Sequence, residues 1–183
     1  MQKYSYYTTT YSILFINVSI FILLNIIFFN KSDKIMHAWG FLPQNNPLTL
    51  ITYSFLHNGL SHIIFNMVGL ICYGRIVERE VGSKNTLYLY LFATVIPMLL
   101  QHFFSPSNLP TIGASAAICG LVGTSLLIEN VKTMFRLLSV LIILKEFYLI
   151  FAYNPIDDGI AHFAHAFGFL TGFLWILFKS DNI

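Results

Sequence analysis

Charged side chains are scarce in this chain of 183 residues: Asp, Glu, Lys and Arg make up 10% of it, and hydrophobic residues 56%. A soluble domain contains about 25% charged residues, so the composition excludes an ordinary water-soluble protein. The formal net charge is only +2. Because no dense Lys/Arg block is present, no nucleic-acid partner is predicted. The mean hydropathy of +0.71 indicates a protein that resides in the lipid bilayer.

Patterns typical of metal sites and disulfides are also missing. The two cysteines, Cys72 and Cys119, lie inside apolar runs without C-x-x-C spacing, which predicts packing rather than metal chemistry. No H-E-x-x-H motif occurs. A zinc site that used His57 and His62 would still need a carboxylate or cysteine to complete it. The sequence therefore predicts no metal and no cofactor.

Long apolar runs dominate the chain. A helix needs about 20 apolar residues to cross the hydrocarbon core, and six runs approach or reach this length, at 11–29, 61–77, 86–104, 115–128, 134–153 and 159–178. The first is interpreted as a retained span, since no small-residue cleavage pattern follows it. We predict an all-α, polytopic membrane protein, a six-transmembrane-helix bundle that forms one domain over residues 1–183. The segment 30–58 is predicted to be a structured interfacial loop.

The basic residues fall unevenly on the two sides of this predicted topology. Six spans place both termini on one side, which holds Lys3, Arg75, Arg79, Lys84, Lys132, Arg136 and Lys179, whereas the other side holds Lys31 and Lys34. The positive-inside rule then predicts cytoplasmic termini for a multi-pass integral protein, with the cell membrane as the expected location. The segments 105–112 and 154–158 are predicted to be loops on the opposite side.

Several polar residues lie near the non-cytoplasmic ends of the predicted helices. They are His57, His62, Asn66, Ser115, His162 and His165. Polar side chains in spans usually face a water-filled cavity or the protein interior. Their common depth predicts one such cavity near the non-cytoplasmic surface, with His162 facing its mouth or a neighbouring loop.

Ser115 opens the fourth predicted helix, within the small-residue run Gly113-Ala114-Ser115-Ala116. Small neighbours leave room for another backbone to approach its hydroxyl. The start of a helix also directs free N–H groups and a positive dipole end at this point, which favours an oxyanion. These features suit a nucleophile. The structural alternative is an N-cap serine on a packing helix.

A serine hydroxyl needs a base to become a nucleophile at neutral pH, and His165 is the candidate. Gly168 and Gly172 follow it on the same helical face, and such a G-x-x-x-G face lets a partner helix come close. If the partner is the helix that starts at Ser115, the imidazole reaches the hydroxyl. The alternative is a packing helix with a hydrogen-bonded histidine.

His62 and Asn66 stand four residues apart on one helical face. Both side chains can donate hydrogen bonds into a low-dielectric site, as an oxyanion hole requires. Lys145 and Glu146, in the middle of the fifth span, are expected to pair or to face a crevice.

The G-A-S at a helix start, the A-H-x-x-G-x-x-x-G of the last span and the H-x-x-x-x-H-x-x-x-N of the second resemble the rhomboid family of intramembrane proteases, over residues 55–178. The stretch 74–82 resembles the family's charged turn, and its residues Glu78, Arg79 and Glu80 are interpreted as a solvated cytoplasmic turn. The resemblance implies Ser115 as nucleophile and His165 as general base, in a dyad without a carboxylate that orients the histidine. It also implies that the oxyanion site and its surroundings contain the Ser115 N–H, His62, Asn66, His57 and Gly113.

The substrates that this resemblance implies are single-pass transmembrane helices, cleaved near their non-cytoplasmic ends. The chain departs from the family at Ala116, commonly glycine, and at Cys119, often an aromatic residue that packs on the histidine. These changes bear on rate and substrate preference, since no catalytic atom is lost. Two alternatives stay open: a non-catalytic rhomboid-like protein that binds transmembrane helices, and a transporter or channel that uses the histidines as a proton relay.

Overall fold

The computed structural model describes residues 7–152 and 160–180, and this part of the chain is built from helices, with no β-strand. The nine α-helices are α1 Thr8–Ile22, α2 Ser32–Trp39, α3 Thr49–Thr52, α4 Leu60–Gly69, α5 Arg75–Val81, α6 Ser83–Phe104, α7 Ser115–Ser125, α8 Thr133–Ala152 and α9 His162–Ser180. Short 3₁₀ turns cover Phe29–Lys31 and Tyr53–Phe55. The predicted loop 154–158 lies outside the described residues.

Two of the long helices contain π-helical turns. Leu23–Ile27 extends α1, and Leu70–Gly74 joins α4 to α5 without a break. Within the described ranges, three helices are long and apolar enough to cross a membrane: Thr8–Ile27, Leu60–Val81 and Ser83–Phe104. The helix α7 has only 11 residues. At 1.5 Å per residue it is too short to cross the hydrocarbon core alone.

The interpretation of Glu78, Arg79 and Glu80 as a solvated turn is correct only in that Arg79 and Glu80 are exposed. Arg75–Val81 is helical, and Glu78 is completely buried. Its carboxylate accepts hydrogen bonds from the backbone N–H groups of Thr9 and Thr10 at 2.9 Å each. It also accepts hydrogen bonds from the hydroxyls of Thr10 and Ser83, both at 2.6 Å. Glu78 thus satisfies free donors at the start of α1 and ties that helix to the α5–α6 junction.

The helix α7 is the centre of the fold, since every residue from Ala116 to Ser125 is buried. Glycines let α7 and α9 touch backbone to backbone. A Cβ added at Gly172 would overlap the carbonyl oxygen of Gly120, and one at Gly168 would overlap that of Ala116. This close approach is what the glycine spacing predicts. It fixes the distance between the first turns of the two helices.

Large apolar side chains cover the outside of the helices. Phe15 is 70% exposed on α1, Phe65 76% on α4 and Phe151 85% on α8. A monomer in water rarely exposes apolar patches of this extent, whereas lipid tails solvate them. The polar side chains described below are mostly buried within the bundle.

Candidate active site

Ser115 and His165 meet where α7 and α9 begin. The Nε2 atom of His165 lies 2.7 Å from the Oγ of Ser115, although the residues are 50 positions apart. The first backbone bond of α7 runs from the Ile118 N–H to the Ala114 carbonyl at 3.0 Å. Consequently the N–H groups of Ser115 to Ala117 have no acceptor within the helix. The hydroxyl therefore lies beside both a base and a set of free donors.

A carboxylate lies on the far side of the imidazole. The Nδ1 atom of His165 is 3.0 Å from the Oε2 of Glu146, on α8. The expectation of a histidine without a carboxylate partner is therefore wrong for this chain. The expected pairing of Lys145 with Glu146 is confirmed, with 2.8 Å between Nζ and Oε1. The sequence analysis predicted Lys145 as a partner of Glu146 but missed its two histidine partners on α9.

His162 belongs to the same polar cluster. Its Nδ1 lies 2.6 Å from the Oε2 of Glu146, so both histidines of α9 contact one carboxylate oxygen. The side chain of His162 is fully buried. The expectation that His162 faces the mouth of the cavity is thus wrong, and a contact with the neighbouring segment 153–159 lies outside the described residues. The signal that could have found the cluster is Glu146 itself, because an acidic residue inside an apolar helix usually marks a functional site.

Gly113, His57 and His62 shape the segment that precedes Ser115. Gly113 has a φ of 115°, which favours glycine. A Cβ there would lie 2.6 Å from the Nε2 of His62, so glycine leaves the space that the ring occupies. The His57 and His62 rings are 4.9 Å apart. The Ala114 N–H points to the Nε2 of His57 at 3.5 Å, a long hydrogen bond.

Burial determines the charge of His57, a loop residue whose side chain is 1% exposed. Burial, followed by the nearby His62, lowers the pKa of His57 to about 4. The ring is therefore neutral at physiological pH and can accept the Ala114 N–H.

Asn66 is buried one turn below His62 in α4. Its side-chain amide donates a hydrogen bond to the His62 backbone carbonyl at 2.9 Å. An amide nitrogen carries two N–H groups, so an oxyanion role for Asn66 would use the second. Ala116 and Cys119, where the chain departs from the family pattern, are both buried in α7. In place of an aromatic residue at position 119, the described contact of the His165 ring is that of its Nδ1 with Glu146 at 3.0 Å.

Glu146, His162 and His165 also form a donor set that could hold a metal ion, with ligand atoms within 4.8 Å of one another. Two imidazoles and a carboxylate suit zinc. The separations of 2.6 and 3.0 Å between Oε2 and the two Nδ1 atoms are hydrogen-bond distances. A metal ion at this point would displace both protons. The sequence search for metal motifs considered other histidines and missed this set.

Comparison with known proteins assigns the chain to a family. The family model of the Rhomboid domain matches residues 44–182. The rhomboid protease GluP of Bacillus subtilis is 31% identical over 176 residues, which cover 91% of this chain and 34% of that protein. RHOMBOID-like protein 4 of Arabidopsis thaliana is 34% identical over 128 residues, or 68% of this chain and 32% of that protein. The chain thus spans about a third of the length of these relatives.

Not every relative is named as a protease. The inactive RHOMBOID-like protein 8 of Arabidopsis thaliana is 29% identical over 150 residues, which cover 79% of this chain and 42% of that protein. Family membership alone therefore leaves activity to be argued from the site. The matched domain covers most of the chain and the apolar helices suit a bilayer, so this integral membrane protein belongs to the rhomboid family.

Proposed function

We propose that this protein is a serine endopeptidase that cleaves transmembrane-helix substrates within the membrane, with Ser115 as nucleophile and His165 as general base. The supporting observation is the 2.7 Å separation between His165 Nε2 and Ser115 Oγ. This is the distance over which a base can take the hydroxyl proton as the oxygen attacks a peptide carbonyl. His165 then passes the proton to the leaving amine, and water hydrolyses the acyl-enzyme.

The oxyanion of the tetrahedral intermediate would form at the start of α7. The Ser115 N–H has no acceptor within the helix, and the helix dipole favours negative charge there. His62, whose ring packs on Gly113 two residues before the serine, is the proposed side-chain donor. Asn66 would contribute its second amide N–H, and neutral His57 would hold the Ala114 segment. Such donors typically contribute a factor of about 10²–10³ in kcat each.

The proposed partners are the lipid bilayer and single-pass membrane proteins. Water must reach the dyad for hydrolysis, and the side chain of His165 is 13% exposed. With cytoplasmic termini, as the distribution of basic residues predicts, the starts of α7 and α9 face the opposite side. Cleavage is therefore proposed near the non-cytoplasmic surface of the membrane.

The test is a matched pair of assays on purified protein in detergent or liposomes. A fluorophosphonate probe should label wild type, and a model transmembrane substrate should be cleaved. We expect Ser115→Ala and His165→Ala to abolish both. Ser107→Ala and His37→Ala, at exposed positions outside the proposed site, are the controls and should retain them.

The outcomes separate the proposed functions. Loss of labelling and cleavage in the two site variants alone supports the protease. Folded wild-type protein that is never labelled, or cleavage that survives Ser115→Ala, would refute it. The non-catalytic, helix-binding function would then be favoured. The Arabidopsis relative shows that the family includes a protein named as inactive.

A further inference from the structure

We infer that Glu146 is a positioning residue for this reaction, so that the site works as a Ser115–His165–Glu146 relay. The inference rests on the proposed function, because it assigns Glu146 a role through His165. Its basis is geometric: the carboxylate lies against the ring nitrogen that does not face the serine.

The two ring nitrogens of His165 have different partners. Nε2 lies 2.7 Å from the Ser115 hydroxyl, and Nδ1 lies 3.0 Å from the Glu146 carboxylate. A carboxylate can only accept, so the neutral imidazole carries its proton on Nδ1 and donates it to Oε2. This tautomer leaves the Nε2 lone pair directed at the hydroxyl. Without an acceptor at Nδ1, a fraction of the protein would carry the proton on Nε2, where it blocks the base.

The surroundings of Glu146 favour the ionised form of its side chain. The side chain is 4% exposed, and an unpaired charge at such a position would be costly. Lys145 bonds Oε1, while His162 and His165 both bond Oε2. The contacts to Oε2 come from α9, so the carboxylate is more than a partner for its neighbour in the chain.

The carboxylate also acts during the chemical step. As the serine oxygen attacks the peptide carbonyl, its proton moves to Nε2 and His165 becomes an imidazolium. The negative charge beside Nδ1 stabilises this cation, and Glu146 keeps its charge throughout. When the scissile C–N bond breaks, Nε2 returns the proton to the leaving nitrogen. Proton and charge balance over the acylation half of the reaction.

Several other groups interact with His165 or with Glu146. They are Lys145 on α8, His162 on α9, His62 on α4 and Cys119 on α7. Among the residues that the structure describes, Glu146 is the acid whose carboxylate oxygen lies at hydrogen-bond distance from Nδ1, at 3.0 Å. Its removal should therefore slow the chemical step, because the imidazolium loses its counter-charge.

The experiment compares Glu146→Gln with wild type, since glutamine keeps the size of the side chain and removes its charge. We expect a fall in kcat on the order of 10²–10⁴-fold, with KM within about threefold because substrate binding does not use the carboxylate. Fluorophosphonate labelling should slow in parallel. Glu146→Asp, which keeps the charge with a shorter reach, should recover part of kcat.

Two variants on the same helix serve as controls. Lys145→Gln removes the ion pair at Oε1 but leaves both histidine contacts, and we expect a loss in kcat below about tenfold because Lys145 is 60% exposed. Tyr148→Phe, on the exposed surface of α8, should behave as wild type. Melting temperatures of all variants show whether a loss of rate reflects a loss of folded protein.

The results separate this inference from the proposed function. A slow Glu146→Gln enzyme with a near-normal KM, assayed at a temperature at which the variant is folded, and partial recovery of kcat in Glu146→Asp support the relay. Wild-type kcat in Glu146→Gln, with activity that still needs Ser115 and His165, would refute the relay alone. A loss that matches Lys145→Gln and follows the melting temperature would assign Glu146 a structural role. Activity independent of Ser115 would refute the protease itself.

Discussion

The buried carboxylate of Glu78 should be a major source of stability. Glu78→Ala removes one acceptor from four hydrogen bonds, to two backbone N–H groups and two hydroxyls. Hydroxyls can rotate toward other acceptors, but the N–H groups of Thr9 and Thr10 are fixed at the start of α1. A buried N–H group left without an acceptor lowers the free energy of unfolding by about 1–3 kcal/mol. We therefore expect a loss of about 3–5 kcal/mol, as for other broken buried charge networks.

Thermal unfolding in detergent measures this loss. For a chain of this size, 1 kcal/mol corresponds to about 2–4 °C, so the melting temperature should fall by roughly 10 °C. Glu80→Ala is the matched control, because Glu80 lies on the same helix and pairs with the exposed Arg79 at 3.0 Å. It should change stability by under about 0.5 kcal/mol. Equal melting temperatures for Glu78→Ala and Glu80→Ala would refute the claim that Glu78 anchors α1.

Two further predictions concern the packing and the pH dependence of the fold. Gly172→Val places a side chain against the Gly120 carbonyl, so α7 and α9 must separate. Activity and melting temperature should both fall. The control Thr171→Val should preserve both. The pKa of His57 is about 4 in the folded state against an ordinary value of 6.5 for histidine, so the unfolded chain binds more protons between these pH values. The contribution of His57 to the free energy of unfolding is complete above pH 6.5 and falls by about 3 kcal/mol toward pH 4. In unfolding experiments, His57→Gln should show a weaker dependence of this free energy on pH.

The contact between α7 and α9 could be predicted because its determinants are local. Gly168 and Gly172 follow His165 at helical spacing, and a stripe of this kind predicts close helix packing without knowledge of the partner. Once that partner is the helix that begins at Ser115, the first turns face each other. The structure has this packing, and it brings the imidazole to the hydroxyl.

The partners of the buried acids could not be predicted in the same way. In sequence, Glu146 has Lys145 beside it and Glu78 has Arg79, so a neighbouring cation explains each charge. In the structure Glu78 bonds residues 68 and 69 positions away, and Glu146 bonds histidines 16 and 19 positions away. These contacts depend on how whole helices are placed relative to one another. The periodicity of apolar residues within one helix does not predict that placement. The cost of burying an acid is the remaining clue, and it predicts that partners exist without naming them.

The two contacts of His165 differ in what holds them. Toward Ser115, the glycines of α9 lie directly on the backbone of α7. The 2.7 Å separation between His165 Nε2 and Ser115 Oγ is therefore supported by close helix packing. Toward Glu146, an apolar crevice of about 380 Å³ lies between α8 and α9, lined in part by Phe147, Phe163 and Phe167. Neither Glu146 nor His165 lines this crevice, and their contact is the 3.0 Å hydrogen bond between Oε2 and Nδ1. The 2.7 Å contact of His165 is therefore supported by backbone packing, whereas its 3.0 Å contact depends on the position of the Glu146 side chain.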